Sequence, residues 1–338
     1  MIMNPASGLF MSTLMAGTFI TICSKSWLGA WVGLEINLLS FIPLMINTSN
    51  QRTTEAALKY FLTQALASLI LLLGLISSAI FSEMMHNLSH YSQNILIMAL
   101  LIKMGSAPFH FWFPGVMEGL DWTNCIILST WQKIAPLSLL SYVISMEWII
   151  TTTVVLSSLM GSLGGLNQTS LRKILAYSSI NHLSWMIMSL NYGELLWITY
   201  FSIYSLLSIT IMVIFSSHQM YHINQMFLKM NDPTLKHMTF ISLLSLGGLP
   251  PLLGFLPKWL VILKMVEMNQ IMIASTLIFT ALVTLYFYMR ISYSALLLNN
   301  SPQTWNLNTH PKTHIATQSY IVLSLFGMPL LLPLMSWL

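Results

Sequence analysis

Three lysines, Lys103, Lys133 and Lys258, and one carboxylate, Glu35, stand inside long apolar stretches of a chain that carries little other charge. An amine or carboxylate at the centre of a bilayer costs roughly 2.5–3.5 kcal/mol on insertion scales, so such a group faces a protein interior or a water-filled cavity and acts there. Reversible protonation is the chemistry open to these residue types at that depth. An amine can hold a proton, release it and accept another, while a carboxylate can hold the amine's charge in place. The four residues therefore read as a charge pathway through a membrane. His182 lies in a further apolar stretch and can relay a proton, because an unperturbed imidazole titrates near pH 6.5. A hydrogen-bonded core histidine is the equal alternative.

Composition says what must hold these residues. Of 338 residues, 56% are hydrophobic and 7% charged, where a soluble domain carries about 25% charged residues. That composition implies an all-α, polytopic membrane protein, a single integral domain over 1–338 whose core is the packed interfaces between helices. Apolar runs long enough to cross about 30 Å of hydrocarbon number about eleven. They fall at 9–23, 27–46, 56–81, 95–113, 123–143, 148–166, 171–190, 195–216, 238–261, 271–291 and 315–337. If these spans alternate, Arg52, Lys59, Arg172, Lys173, Lys229, Lys236, Arg290 and Lys312 share the side of the N-terminus, and only Lys25 and Lys264 lie opposite. Basic residues accumulate on the side that is not translocated, so the N-terminus is expected on the cytoplasm-like or matrix face and Leu338 on the other. Glu55 and Lys59, four residues apart, are expected to pair at the boundary.

Two segments interrupt this pattern in similar ways. One reads Lys103-Met104-Gly105-Ser106-Ala107-Pro108-Phe109-His110-Phe111-Trp112-Phe113-Pro114, and the other reads Gly247-Gly248-Leu249-Pro250-Pro251-Leu252-Leu253-Gly254-Phe255-Leu256-Pro257-Lys258-Trp259. Proline removes a backbone donor and frees carbonyls that lipid cannot satisfy, so broken helices persist only where protein or water lines them. Matched interruptions in two halves point to an inverted-repeat transporter core. The breaks fall in the fourth and ninth spans. They therefore fit five-helix repeats at about 9–143 and 148–291, with an extra C-terminal helix at about 315–337. Simple packing kinks are the plainer reading, but a kink does not need a lysine beside it.

Other classes are excluded. The net charge of +4 is scattered over loops, which gives no basic face for nucleic acid. Cys23 and Cys125 are too few to ligate an iron–sulfur cluster, and no metal site, glycine-rich dinucleotide fingerprint or flavin motif is present in the sequence. The first apolar run lacks a basic n-region and a small-residue cleavage site, so it is expected to stay on the protein.

The strings Trp27-Leu28-Gly29-Ala30-Trp31-Val32-Gly33-Leu34-Glu35-Ile36-Asn37, Lys59-Tyr60-Phe61-Leu62-Thr63-Gln64, Pro108-Phe109-His110-Phe111-Trp112, Trp131-Gln132-Lys133, Gly164-Gly165-Leu166-Asn167-Gln168-Thr169 and Leu249-Pro250-Pro251 through Lys258-Trp259 closely resemble the chain 2 family of mitochondrial NADH–ubiquinone oxidoreductase. That family comprises antiporter-like membrane subunits of respiratory complex I. The resemblance covers nearly the whole chain. It implies a proton-translocating subunit of the mitochondrial inner membrane that works without a redox centre of its own. The flavin, iron–sulfur clusters and quinone site would then belong to partner subunits. The implied neighbours are the antiporter-like chain 4 and the small chain 4L. About eleven spans matches the shortened animal form of the family, which lacks three leading helices. Ser184 stands where relatives often carry glycine.

On that resemblance Glu35 and Lys103 match the family's carboxylate–lysine pair, Lys133 its central lysine and Lys258 its terminal lysine. Each has a plainer alternative: a static buried ion pair for the first two, a snorkelling side chain for Lys133, an interfacial anchor beside Trp259 for Lys258. Lys133 lies about ten residues inside its span, roughly 15 Å along a helix, too deep for easy escape. His110, near a helix end, reads as interfacial structure. In the expected mechanism Glu35 holds Lys103 charged, and loss of that neighbour sends a proton toward Lys133 and on to Lys258. Two ammonium groups about 10 Å apart repel by roughly 1.7 kcal/mol at an effective dielectric near 20, enough to bias which one is protonated. The competing expectation is a structural and electrostatic scaffold with no proton path of its own.

Overall fold

In lipid every backbone N–H and C=O must find a partner inside its own segment, so long apolar runs become helices. The computed structural model describes residues 5–47, 50–84, 89–144, 148–229 and 233–297, and among these it contains fourteen helices and no strand. The expected helix at 315–337, with Lys312, lies outside the described residues. Six helices are each long and apolar enough to cross a membrane: α1 (Pro5–Cys23), α2 (Trp27–Met45), α3 (Gln51–Met84), α8 (Trp148–Gly165), α10 (Glu194–Ser217) and α14 (Ile271–Leu297). The chain divides into two compact units, with the boundary after Leu156, inside α8.

In the first unit α1 and α2 form a tight hairpin turned by Ser24–Ser26. Ser26 caps α2 by accepting the Gly29 N–H at 3.3 Å. A Cβ on Gly33 would stand 2.8 Å from the Gly17 carbonyl oxygen and 2.6 Å from Thr21 Cγ2. Only glycine permits this approach, the usual use of small residues where membrane helices cross. α3 has 34 residues, about 51 Å at 1.5 Å per residue, so it outruns the hydrocarbon and begins earlier than the apolar run at 56 suggested. Glu55 and Lys59 on its first turns are both exposed, and no ion pair joins them. Such a pair contributes tenths of a kcal/mol in water and does not fix two flexible side chains.

The first expected break is present. α4 (Ser89–Met104) stops at Gly105, whose φ of +74° lies in the left-handed region. The Gly105 and Ser106 amides both return to the Leu101 carbonyl, at 3.1 and 3.2 Å. This is a glycine C-cap of the Schellman type. Two carbonyls freed by the break are taken up by side chains: Trp112 Nε1 donates to Ile102 O, and Gln64 Nε2 donates to Lys103 O, each at 3.2 Å. α5 (Trp112–Gly119) resumes beyond the break. The run 123–143 was expected as one continuous span, but it is divided into α6 (Trp122–Ser129) and α7 (Trp131–Val143). Thr130 has φ −114° and ψ −72°, and its hydroxyl donates back to Ile126 O at 2.7 Å. A threonine hydroxyl bonded four residues back bends a helix, and here it coincides with a division.

In the second unit α9 (Leu171–Tyr192) is buried from Ser178 to Leu190 and forms its core. Gly161 on α8 meets it so closely that a Cβ would stand 2.6 Å from the Asn181 amide nitrogen. Ser184, in place of glycine, is absorbed by donating to Asn181 O at 2.6 Å. The loops flanking α9 and α10 pair at Ser170 and His222, and the Arg172 guanidinium lies 4.7 Å from the Tyr221 ring centre. A short helix, α11 (Ile223–Lys229), lies in what was read as a plain connection.

The second expected break is also present, between α12 (Pro233–Gly247) and α13 (Phe255–Glu267). Gly248 has φ +83°, and the amides of Gly248 and Leu249 both bond to Leu244 O, at 3.1 and 3.3 Å. The two breaks thus share one local stereochemistry: a left-handed glycine, with the following amide bonded five residues back.

Candidate functional site

Lys103 occupies the last turn of α4, immediately before the left-handed Gly105, and Lys133 occupies the first turn of α7, just after Thr130. Each lysine is therefore placed by an end of a broken helix. Their exposures of 7% and 2% show that both amines face the protein interior. Both line one cavity of about 20 Å³, with Asn37, Tyr60, Gln64 and Gln132 around it. That volume admits about one water molecule, and the polar walls offer the two to four partners a buried water needs.

The walls are tied together. Gln132 Nε2 donates to Asn37 Oδ1 at 2.9 Å, the Tyr60 hydroxyl reaches Gln132 Oε1 at 3.5 Å, and Gln64 is fixed to the Lys103 carbonyl. Aromatic rings close the rest. Tyr60 packs edge-on to Phe41 and Trp112, with centres 5.3 and 5.8 Å apart, and Lys133 Nζ lies 5.2 Å from the centre of the Phe113 ring. A cation over an aromatic face is attracted by the ring quadrupole, which gives the ammonium a partner that water need not supply.

Glu35 is placed differently. It lies two residues before Asn37 on α2, about 200° around the helix, so when Asn37 faces the cavity Glu35 faces away. Its charge acts on Lys103 through space. No direct ion pair joins the two, and the inaccessible Glu35 Oε2 has no hydrogen-bond partner among the described residues. His110 is buried within the first break, with its ring 4.3 Å from that of Phe111 and with Nδ1 unpartnered.

In the second unit Lys258 begins α13 and is 4% exposed. Its Nζ donates to Gly247 O at 2.9 Å, which seats the amine on the open carbonyl end of α12. That end carries the negative pole of the helix dipole, a favourable place for a cation. Nζ also lies 6.0 Å from the Trp185 ring centre. His182 stands three residues before Trp185 on α9, one turn away on the same face. Its Nδ1 is 3.0 Å from the Tyr200 hydroxyl, and its ring centre is 5.0 Å from that of Tyr204.

Sequence reasoning singled out the charged residues and His182 but not the neutral groups around them. Asn37, Tyr60, Gln64, Gln132, Tyr200 and Tyr204 were missed. A signal was available: Tyr60 and Gln64, like Tyr200 and Tyr204, are polar groups four residues apart inside apolar spans, and so share one helix face. Among the described residues no cluster of three or more His, Cys, Asp or Glu could hold a metal ion.

Over residues 24–284 the chain matches the family described as NADH:quinone oxidoreductase/Mrp antiporter, TM. It is 52% identical over 321 residues to NADH-ubiquinone oxidoreductase chain 2 of Anopheles gambiae, covering 94% of this chain and 93% of that one. Against the protein of the same name from Aedes aegypti the identity is 51% over 323 residues, covering 94% of each. A chain of respiratory complex I from Thermus thermophilus superposes with a TM-score of 0.82 at 25% identity, covering 97% of this chain and 78% of that chain. With sequence, family profile and backbone in agreement over most of its length, the chain belongs to the NADH:quinone oxidoreductase/Mrp antiporter transmembrane family, among relatives named NADH-ubiquinone oxidoreductase chain 2.

Proposed function

We propose that this chain is a proton-translocating subunit of the membrane arm of respiratory complex I, carrying protons along Glu35, Lys103, Lys133 and Lys258 with His182 as a relay. The observation that carries this reading is the shared cavity. Lys103 and Lys133 open onto one water-sized space whose remaining walls are amides and a phenol, and a single water there would join the two amines by hydrogen bonds. Glu35 acts on Lys103 by its field. A change in that carboxylate's charge or distance alters how strongly Lys103 keeps its proton without breaking a contact first. Lys258 and the His182–Tyr200 pair supply the corresponding groups in the second unit.

The relatives' names support the wider setting. The chain works in the mitochondrial inner membrane, with its N-terminus on the matrix side and its C-terminus toward the intermembrane space. Its neighbours are chain 4 and chain 4L, and flavin, iron–sulfur and quinone chemistry reside in partner subunits. About eleven spans, arranged as inverted five-helix repeats at about 9–143 and 148–291, are favoured by the matching glycine caps at Gly105 and Gly248.

The test is Lys103→Met in the assembled complex. Methionine keeps the length and volume of the side chain and removes the proton carrier. The complex is expected to assemble, with NADH oxidation coupled to quinone and proton transfer into vesicles falling together by tenfold or more, since a positioned proton donor or acceptor contributes about 10²–10⁴ in rate. Wild-type proton transfer in the assembled variant would overturn the reading and leave the scaffold role.

A further inference from the structure

The chain holds a second cavity that the proton pathway does not use. It has about 390 Å³ and lies where the end of α1, the start of α2 and the end of α7 converge. Its polar wall is Ser24, Lys25 and Ser26, closed by the indole of Trp27 and the phenol of Tyr142, with Leu139 behind them.

Three helix ends at one level mark a membrane boundary, and Trp and Tyr concentrate at that depth because one end of each ring is apolar and the other polar. Lys25 is exposed, and no carboxylate among the described residues pairs with it. Ser26 accepts the Gly29 N–H through its oxygen, so its own hydrogen is free to be donated. Ser24 differs: its hydroxyl already donates to Thr21 O at 3.0 Å. The cleft thus offers an unpaired cation and a free hydroxyl donor side by side. Beyond its mouth the hairpin surface is apolar, with Phe19, Ile22 and Leu28 all exposed. An anionic head continued by hydrocarbon chains is complementary to both parts. A free inorganic anion would use the lysine and leave the apolar walls unmatched.

We propose that this cleft binds the phosphate-bearing headgroup of an anionic phospholipid, with Lys25 as its counter-charge, Ser26 as hydrogen-bond donor and the exposed α1–α2 surface as the seat of its acyl chains. The site does not depend on the proton pathway.

The experiment uses the assembled complex reconstituted in phosphatidylcholine vesicles containing a phosphatidylglycerol with a photoreactive headgroup, followed by mapping of cross-linked peptides. Labelling is expected within 21–30 and 139–142. Lys25→Gln should lower it about fivefold, the effect of removing one basic residue near an anionic surface, Lys25→Glu should lower it further, and Lys25→Arg should retain it. Labelling unchanged in Lys25→Gln and Lys25→Glu, or equal labelling by a photoreactive phosphatidylcholine, would overturn the proposal. Displacement of the probe from the wild-type complex by millimolar inorganic phosphate would overturn it in favour of a free-anion site. If a variant fails to assemble, the comparison of the two lipids and the phosphate competition on the wild-type complex still decide.

Discussion

Lys133→Met is expected to leave the complex assembled and to lower coupled proton transfer by about a hundredfold or more, the range lost when a positioned proton carrier is removed. Lys133 is 2% exposed and shares its cavity of about 20 Å³ with Lys103. Methionine fills the same unbranched volume, and its sulfur makes favourable contacts with aromatic rings, so the face of Phe113 keeps a neighbour. Removing an unpaired ammonium from an apolar interior also relieves a desolvation cost, so the packing has no reason to fail. Lys133→Arg separates two roles. A guanidinium stays charged at every working pH, so it can replace a fixed charge but cannot give up a proton. If Lys133 exchanges protons, the arginine variant also fails to pump. If it serves only as a static field, arginine restores proton transfer. Proton uptake into vesicles beside NADH oxidation, normalised to assembled complex on native gels, measures both. Wild-type pumping by either variant would remove Lys133 from the pathway.

The parts of this fold that were legible in the sequence are those where local chemistry leaves a single solution. Gly105 and Gly248, beside prolines inside apolar runs, mark helix ends that no other residue would form without strain, and both breaks fall there. Lysines at the breaks were legible because an unpaired amine in an apolar run has few affordable positions. The division at Thr130 was not legible. It carries no glycine or proline, and a threonine hydroxyl bonded to Ile126 O looks the same in sequence as the many threonines in unbroken helices here, such as Thr210 bonded to Leu207 O. The separation of Glu35 from Lys103 depended on where α2 turns its faces, and that is set by the contact of Gly17 with Gly33. The neutral groups around the amines were hidden for a different reason. Gln, Asn and Tyr are affordable in a helix interior whenever a partner is near, so their presence alone does not separate a cavity wall from an ordinary interhelical hydrogen bond. Only coordinates showing Gln132 and Asn37 at 2.9 Å beside two lysines make that distinction.

Gly254→Ala is expected to prevent most of the chain from accumulating in assembled complex, whereas Gly248→Ala spares assembly to a greater degree and acts on Lys258. At position 254 an added Cβ would overlap the carbonyl oxygen of Ser245. That carbonyl belongs to the last turn of α12 and already accepts the Gly248 amide at 3.0 Å, so it cannot withdraw without undoing the cap. The alternative is for α13 to move outward and lose its packing. Overpacking of this kind costs typically 1–3 kcal/mol, and more where backbone blocks relief, so assembled complex should fall tenfold or more. At position 248 the nearest obstacle is Lys258 Nζ, 3.0 Å from the added Cβ, which is the end of a flexible chain. The left-handed φ adds about 1–2 kcal/mol of strain. A tilted amine loses its bond to Gly247 O, so proton transfer per assembled complex falls in the Gly248 variant while more complex survives. Gly115→Ala is the control: a Cβ there meets nothing within 4 Å, and alanine favours helix. Native-gel abundance and proton transfer per complex distinguish the three. Equal assembly of the Gly254 variant and the control would show that α13 is not held against α12 as the contact with Ser245 requires.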